Sequence, residues 1–417
     1  MYCKRALAAA VFLLAACQRS PRPVERTAIL SFENLSGEPA LDWMGRALAE
    51  VIGGQLASSA RVYVIPLENL HTLDAALGRH SAGAPGISAE RPLAVAAGCT
   101  RIVYGTFSRH DGRLRVEAAA GDPDTNRVVR WLSAEGPDVF TCAAAVARSL
   151  DPAARAFGTR NPGALRDYTL AEENGDAEAA ERAVARDPGF GQAWLLRARI
   201  ALWREGAAGG ARVLERASQQ ALAPLERAQV NYGLATFRGD GDGRARALTD
   251  LQRLAPADPA NYRNLADMAL DAHQYGQAAG HLRTAAQRHP SDPSLWNLLG
   301  YAEAYAGDLD AATAALRTYE RLRPREANPL DSLGDVRLYL GRPLDAERDY
   351  LAAFALDPAF LEAGTLYKAA WARLYSGDVA GATRTFERYA GARPNDPLLD
   401  FRRAEWSWLA GRRREAA

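Results

Sequence analysis

Lysine is all but missing from this chain. Lys4 and Lys368 are the only two, so its 51 basic residues are almost all arginine. They are met by 50 acidic residues, and the resulting formal charge of +1 gives no bulk attraction for nucleic acid. Cysteine is scarce as well. Cys3, Cys17, Cys99 and Cys142 make neither a disulfide-stapled mini-protein nor a zinc-ribbon pattern. Small apolar neighbours at Ala143-Ala144-Ala145 predict that Cys142, and Cys99 with it, are packed thiols rather than a disulfide. No apolar run is long: Ala6 to Ala16 is about half of the roughly 20 residues a spanning helix needs. Signatures of zinc proteases, nucleophile elbows, phosphate-binding loops and dinucleotide folds are all absent. His273, His281 and His289 recur at a spacing that turns each about 80° from the last on a helix, which suits no shared metal. The expectation is a chain that is not an enzyme, with no catalytic residue, metal or cofactor. At 417 residues it has room for two or three domains.

The N-terminus reads as an export signal. Lys4 and Arg5 precede the apolar run, which ends at Leu14-Ala15-Ala16-Cys17. That ending resembles a bacterial lipobox. The resemblance implies a signal peptide over 1–16, cleavage before Cys17, a diacylglycerol on its thiol and a lipid anchor in the bacterial cell envelope. Gln18 follows, not the aspartate that typically retains such proteins in the inner membrane, so the outer membrane facing the periplasm is expected. Residues 17–25 then form a lipidated tether; extended, Gln18 to Glu25 reaches only about 25 Å.

From Asp258 to Pro394 the chain repeats. Pro256, Pro290, Pro324 and Pro358 are evenly spaced, and Pro394 follows after a short slip. Small residues recur at Ala278, Ala312, Ala346 and Ala382, and large ones at Leu282, Leu316, Tyr350 and Phe386. Trp296, Leu299 and Gly300 complete a W-x2-L-G string. The unit resembles the tetratricopeptide repeat, a helix-turn-helix of about 34 residues. Local chemistry agrees. Asp258-Pro259, Asp292-Pro293 and Asp396-Pro397 put an acceptor at an N-cap and proline at N1. Gly307, Gly341 and Gly377 fall where the first helix must stop. Shorter or looser units precede these, from 164 onward, with turns at Asn174-Gly175 and across Gly239 to Gly243. The last unit, from Pro397, reads as incomplete. Residues 159–163, with Asn161-Pro162-Gly163, read as a linker and hinge.

Between tether and repeats the period changes. Short apolar runs at Thr27 to Phe32, Arg61 to Pro66, Arg101 to Phe107, Arg113 to Ala119 and Arg127 to Leu132 predict strands. His110-Asp111-Gly112 predicts a hairpin turn. Helical spacing predicts helices from about 41 to 58, 68 to 77, 89 to 97 and 137 to 157. The strings from Ala28 to Pro39 and Asp42 to Glu50, with Ala97 to Gly105, are similar to a bacterial module related to the amino-terminal domain of the Tol-system propeller protein. That resemblance covers about 26–158 and implies an α/β fold without transferable chemistry. The free backbone around Asn34, Ser36 and Gly37 reads as helix entry rather than an anion site. The fold class expected is thus an α/β module, a mixed sheet with helices, followed by an all-α tetratricopeptide-repeat solenoid over 164–417.

The repeat resemblance also implies a function. In that family the first helices of successive units line a concave groove. The matching positions here are Arg263 and Asp267; Asn297, Tyr301 and Tyr305; Asp331, Asp335 and Tyr339; and Tyr367, Trp371 and Tyr375. Aromatics interspersed with carboxylates suit an extended peptide or an arginine-bearing protein segment. The Lys/Asn clamp of chaperone-binding relatives is absent. A membrane-anchored scaffold for protein partners is the reading that follows. The alternative is an envelope sensor whose α/β module binds a small ligand and whose repeats relay the signal.

Overall fold

The structure, a computed structural model, describes residues 23–66, 87–412 and 414. Cys17, the signal over 1–16 and the helix and loop expected at 68–86 lie outside those residues. Among the described residues no helix is long and apolar enough to cross a membrane.

The first part of the chain builds a sheet. Strand β1 (Glu25–Ile29) is central to its parallel half, pairing with β3 (Val62–Val64) on one side and β4 (Arg101–His110) on the other. A long helix, α1 (Trp43–Leu56), lies between β1 and β3 in sequence. Strands β5 (Arg113–Gly121) and β6 (Val128–Gly136) continue the sheet in antiparallel fashion, giving the order β3-β1-β4-β5-β6. Asp111 and Gly112 both take positive φ, 48° and 77°. This is the backbone of the primed hairpin turns that match strand twist. A two-residue strand, β2 (Glu33–Asn34), pairs with β4 where the sequence read only a turn. Asn34 still organises that turn: its amide donates to the Glu38 carbonyl and the Asp42 carboxylate, and its oxygen accepts from Ser36.

Period-two alternation sends successive side chains to opposite faces. Val103, Phe107 and Val116 face α1 and α3 (Val139–Leu150), joining Leu48, Ile52, Phe140 and Val146 in the larger core. Leu30, Ile65, Ile102 and Cys99 pack on the other face with Leu93 of α2 (Ile87–Ala96). Cys99 and Cys142 therefore sit in different layers, both buried and both free thiols, as the sequence suggested. Burial pushes each thiol up to about 11.

Helical hairpins follow. Pro162 opens α4 (Pro162–Asn174), and Asn161 caps it by accepting from the Gly163 and Ala164 amides, so the expected hinge is a helix start. Gly175 ends α4 in the left-handed region and α5 (Ala177–Arg186) returns. The next pair is a single run, α6 (Gly191–Ser218), bent at Gly206, whose φ of 75° and ψ of −170° leave the helical region. α7 (Pro224–Arg238) and α8 (Gly241–Leu254) come next. Asp240 caps α8 by accepting from the Gly243 amide, which gives that acidic turn a structural job.

The regular array comprises α9 (Pro259–Asp271), α10 (Tyr275–Arg288), α11 (Pro293–Tyr305), α12 (Leu309–Leu322), α13 (Asn328–Tyr339), α14 (Pro343–Leu356), α15 (Gly364–Tyr375) and α16 (Val379–Ala392). A last helix, α17 (Leu399–Leu409), starts after Pro397 rather than at it. Asp396 still accepts from the Leu398 amide at this entry, and its other oxygen joins a network with the Tyr389 hydroxyl and Arg402. Gly307, Gly341 and Gly377 each take positive φ at the turn inside a hairpin, where only glycine avoids strain. A Cβ on Gly300 would lie 2.5 Å from Leu316, and one on Gly334 would lie 2.4 Å from the Tyr350 ring. These two glycines let the helices of a hairpin touch. The fold is an α/β module, a mixed sheet with helices, followed by an all-α array of consecutive helical hairpins. The described residues divide into two compact units: those up to Leu265 with 287–289, and 266–286 with those from Pro290.

Candidate functional site

Residues four apart on a helix share a face. On α11, Asn297, Tyr301 and Tyr305 form one such column; Asp331, Asp335 and Tyr339 do so on α13, and Tyr367, Trp371 and Tyr375 on α15. The repeat then sets equivalent rows side by side. How these rows interact differs from one end of the column to the other.

Toward the helix starts the rows are polar and interlocked. Lys368 Nζ donates to Asp331 at 2.8 and 2.9 Å and to Asp335 at 2.9 and 3.1 Å. The hydroxyls of Tyr301 and Tyr350 donate to the two oxygens of Asp335 at 2.9 and 2.8 Å. Burial, the largest effect, raises the Asp331 carboxyl above its ordinary value, and Lys368 pulls it only part of the way back. Burial opposes the charge of Lys368 too, but the two carboxylates outweigh it and its pKa ends above that of a free lysine. Burial beside Asp335 also lifts the Tyr301 and Tyr350 phenols, so both remain protonated donors. Close by on α11, the buried Oδ1 of Asn297 has no hydrogen-bond partner among the described residues.

At the helix ends the rows are open. Tyr339 is 61 % exposed and Tyr375 68 %. Tyr305 meets Tyr339 edge-on with ring centroids 5.4 Å apart, and Tyr275, the first residue of α10, stands 5.8 Å from Tyr305. Beyond it His273, in the left-handed region with φ 57°, is 2.9 Å through Nδ1 from the Tyr275 hydroxyl. The result is a continuous run of rings over three hairpins.

Tyr367 and Trp371 belong to a different environment. Tyr367 is 5.2 Å from Tyr389, carries the Arg402 guanidinium 4.9 Å over its ring and donates to Glu405. Trp371 contacts Trp406 at 5.6 Å, and Trp406 stacks on Phe386 at 4.8 Å. Both therefore lie half-buried against an aromatic cluster that α16 and α17 complete. Asp267 is exposed on α9. Arg263 lies in the first compact unit, where burial lifts the Asp258 carboxyl and the nearby Arg263 charge opposes that lift.

Reading columns one helix at a time missed Lys368, Tyr350 and Tyr275. Lys368 carried a signal: it is the one lysine beyond the N-terminal segment, one repeat away from two aspartates four apart. Tyr350 was read as packing, and its ring does pack; its hydroxyl reaches the face as well.

No protein-family model matches the chain, and no curated protein matches it. Solved structures of repeat proteins do. The MamA structure from Desulfovibrio magneticus RS-1 is 19 % identical, with 40 % of this chain and 96 % of that one covered and a TM-score of 0.35. YrrB, described as a TPR protein with an unusual peptide-binding site, is 14 % identical over 48 % of this chain and 99 % of its own, at a TM-score of 0.39. The C-terminal part of a TPR repeat-containing protein from Cytophaga hutchinsonii is 13 % identical, covering 56 % and 96 %, at 0.45.

Proposed function

We propose that this chain is a lipid-anchored scaffold of the bacterial cell envelope whose repeat array holds an extended protein segment along its first-helix face. The observation that carries the reading is the open run Tyr275, Tyr305 and Tyr339, about two turns along α11 from Asn297, whose buried Oδ1 has no hydrogen-bond partner among the described residues. Tyrosines give large contact area at small entropic cost, and a partner N–H would satisfy an acceptor whose burial is otherwise unfavourable. The two aspartates outnumber Lys368, so the local charge favours an arginine-bearing segment over an acidic one. Nucleic acid is disfavoured by the balanced overall charge. No catalytic group, metal or cofactor enters this reading. Cys17 supplies the anchor in the outer membrane, and the module similar to the Tol propeller's amino-terminal domain follows the short tether.

Crosslinking and affinity capture from a native envelope tests the interaction. Tyr339→Ala should lose the partner that the unaltered protein retains; equal capture by both would overturn the assignment to this face. Mass spectrometry of the mature N-terminus tests the anchor separately, with acylated Cys17 expected and Cys17→Ser released from membranes.

A further inference from the structure

We infer that the part of the sheet face over β4, β5 and β6 that α2 leaves open is a binding site for a small organic cation, an amine or quaternary ammonium head group. This site is independent of the repeat face and of the scaffold reading.

Strand register assembles it. Tyr104 of β4 pairs with Ala119 of β5, and Ala119 pairs with Trp131 of β6, so two aromatic residues stand on one face with a methyl group between them. Neighbouring strands are about 4.8 Å apart, which puts the backbones of Tyr104 and Trp131 about 10 Å apart. Two rings standing from those positions leave a slot of roughly one ring thickness or one methylated nitrogen, with Ala119 as its floor. Tyr104 is propped by the α2 layer of the core, while Trp131 is 77 % exposed at the edge of the sheet. An indole so open to water on a nine-residue strand is not explained by packing.

The next row along the strands is acidic. Glu33 of β2 pairs with Thr106 of β4, and Thr106 pairs with Glu117 of β5. Two carboxylates thus flank Thr106 on the same face, two residues along from the aromatic row. Glu117 is shared with Arg115 at 2.5 Å, whereas Glu33 is exposed and engages no cation among the described residues. The trough holding both rows measures 540 Å³. Two carboxylates against one arginine leave it net negative, and aromatic faces add attraction for positive charge. A cation placed between Tyr104 and Trp131 would be about 7 Å from the carboxylate row, near enough for direct or water-mediated contact. This charge complementarity selects a cation over a neutral or anionic ligand of the same size.

Choline and its neutral isostere 3,3-dimethylbutan-1-ol are the discriminating probes, titrated calorimetrically into the full chain. Choline should bind saturably in the millimolar range and the isostere far more weakly. Trp131→Ala should weaken choline about fivefold, as expected for one cation–π partner at an exposed site, and Glu33→Gln should weaken it by a similar factor. Trp203→Ala, which removes another highly exposed tryptophan, serves as control and should leave binding unchanged. Circular dichroism confirms that each variant is folded. Equal binding of choline and its isostere would overturn the inference, as would unchanged affinity in both Trp131→Ala and Glu33→Gln. Absence of saturable choline binding up to tens of millimolar would also overturn it.

Discussion

Two buried or half-buried ionic sites set the behaviour of individual residues. Among the described residues Lys368 is the single cation bridging Asp331 and Asp335, so Lys368→Met leaves two carboxylates facing each other. Removing one partner of such a pair should lower stability by about 3 kcal/mol. Urea titration at pH 8 should show this, and the deficit should shrink at pH 5, because protonating Asp331 removes one unpaired charge. Identical midpoints for variant and parent would mean the network contributes nothing. Glu226 differs. Its carboxylate accepts from the backbone amides of Ala223, Gly191 and Gln192, yet burial, the dominant effect, holds its pKa up at about 7. The folded pKa exceeds the unfolded value of 4.5, so the folded state binds the proton more tightly. Stability from this group is therefore complete below about pH 4.5 and is lost as pH rises through 7. The change amounts to roughly 3 kcal/mol at most. Glu226→Gln, which keeps an acceptor but cannot ionise, should flatten the decline in melting temperature between pH 5 and pH 8. An unaltered slope in that variant would move the effect to another group.

At the scale of the element, legibility follows steric necessity. The repeat was readable because each of its fixed positions has one cheap solution. A left-handed turn takes Gly307, Gly341 or Gly377, and a helix crossing without clearance takes Gly300 or Gly334. The sheet was readable because alternation in β4 and β5 separates two cores of different composition. What escaped was non-periodic. β2 is too short to show a period, Pro162 marks both a linker and a first helical turn, and Lys368 meets its aspartates only once two successive hairpins have stacked. Two substitutions test the steric account. Gly334→Ala would drive a methyl into the Tyr350 ring, where the contact would be 2.4 Å, and overpacking of this kind should lower stability by about 1–3 kcal/mol. Leu316→Ala, at a fully buried position of α12, should cost about 2–5 kcal/mol through the cavity it leaves. Chemical denaturation reads both, and a neutral Gly334→Ala would show that the hairpin has room to spare.

At the scale of the whole molecule, the first-helix residues divide into two classes, although the sequence assigned them all to one groove. Tyr305 and Tyr339 touch each other and solvent; Tyr367 and Trp371 lean on Phe386, Tyr389 and Trp406. The difference follows the row: Tyr305, Tyr339 and Tyr375 stand at the helix ends and are open, whereas Tyr367 and Trp371 stand nearer the start of α15, where α17 supplies Trp406. A single pair of measurements separates the classes. Tyr305→Ala and Tyr339→Ala should leave the thermal melt nearly unchanged, within about 0.5 kcal/mol for exposed side chains. Each should weaken partner capture by about 1–3 kcal/mol if it anchors the bound segment. Trp371→Ala should instead lower stability by about 3 kcal/mol, because it opens a gap in an aromatic cluster. Its effect on capture should follow the fraction of protein that remains folded. A Trp371→Ala variant that melts normally yet loses the partner would extend the binding face onto α15. Tyrosine variants that melt early and keep the partner would place the interaction elsewhere on the molecule.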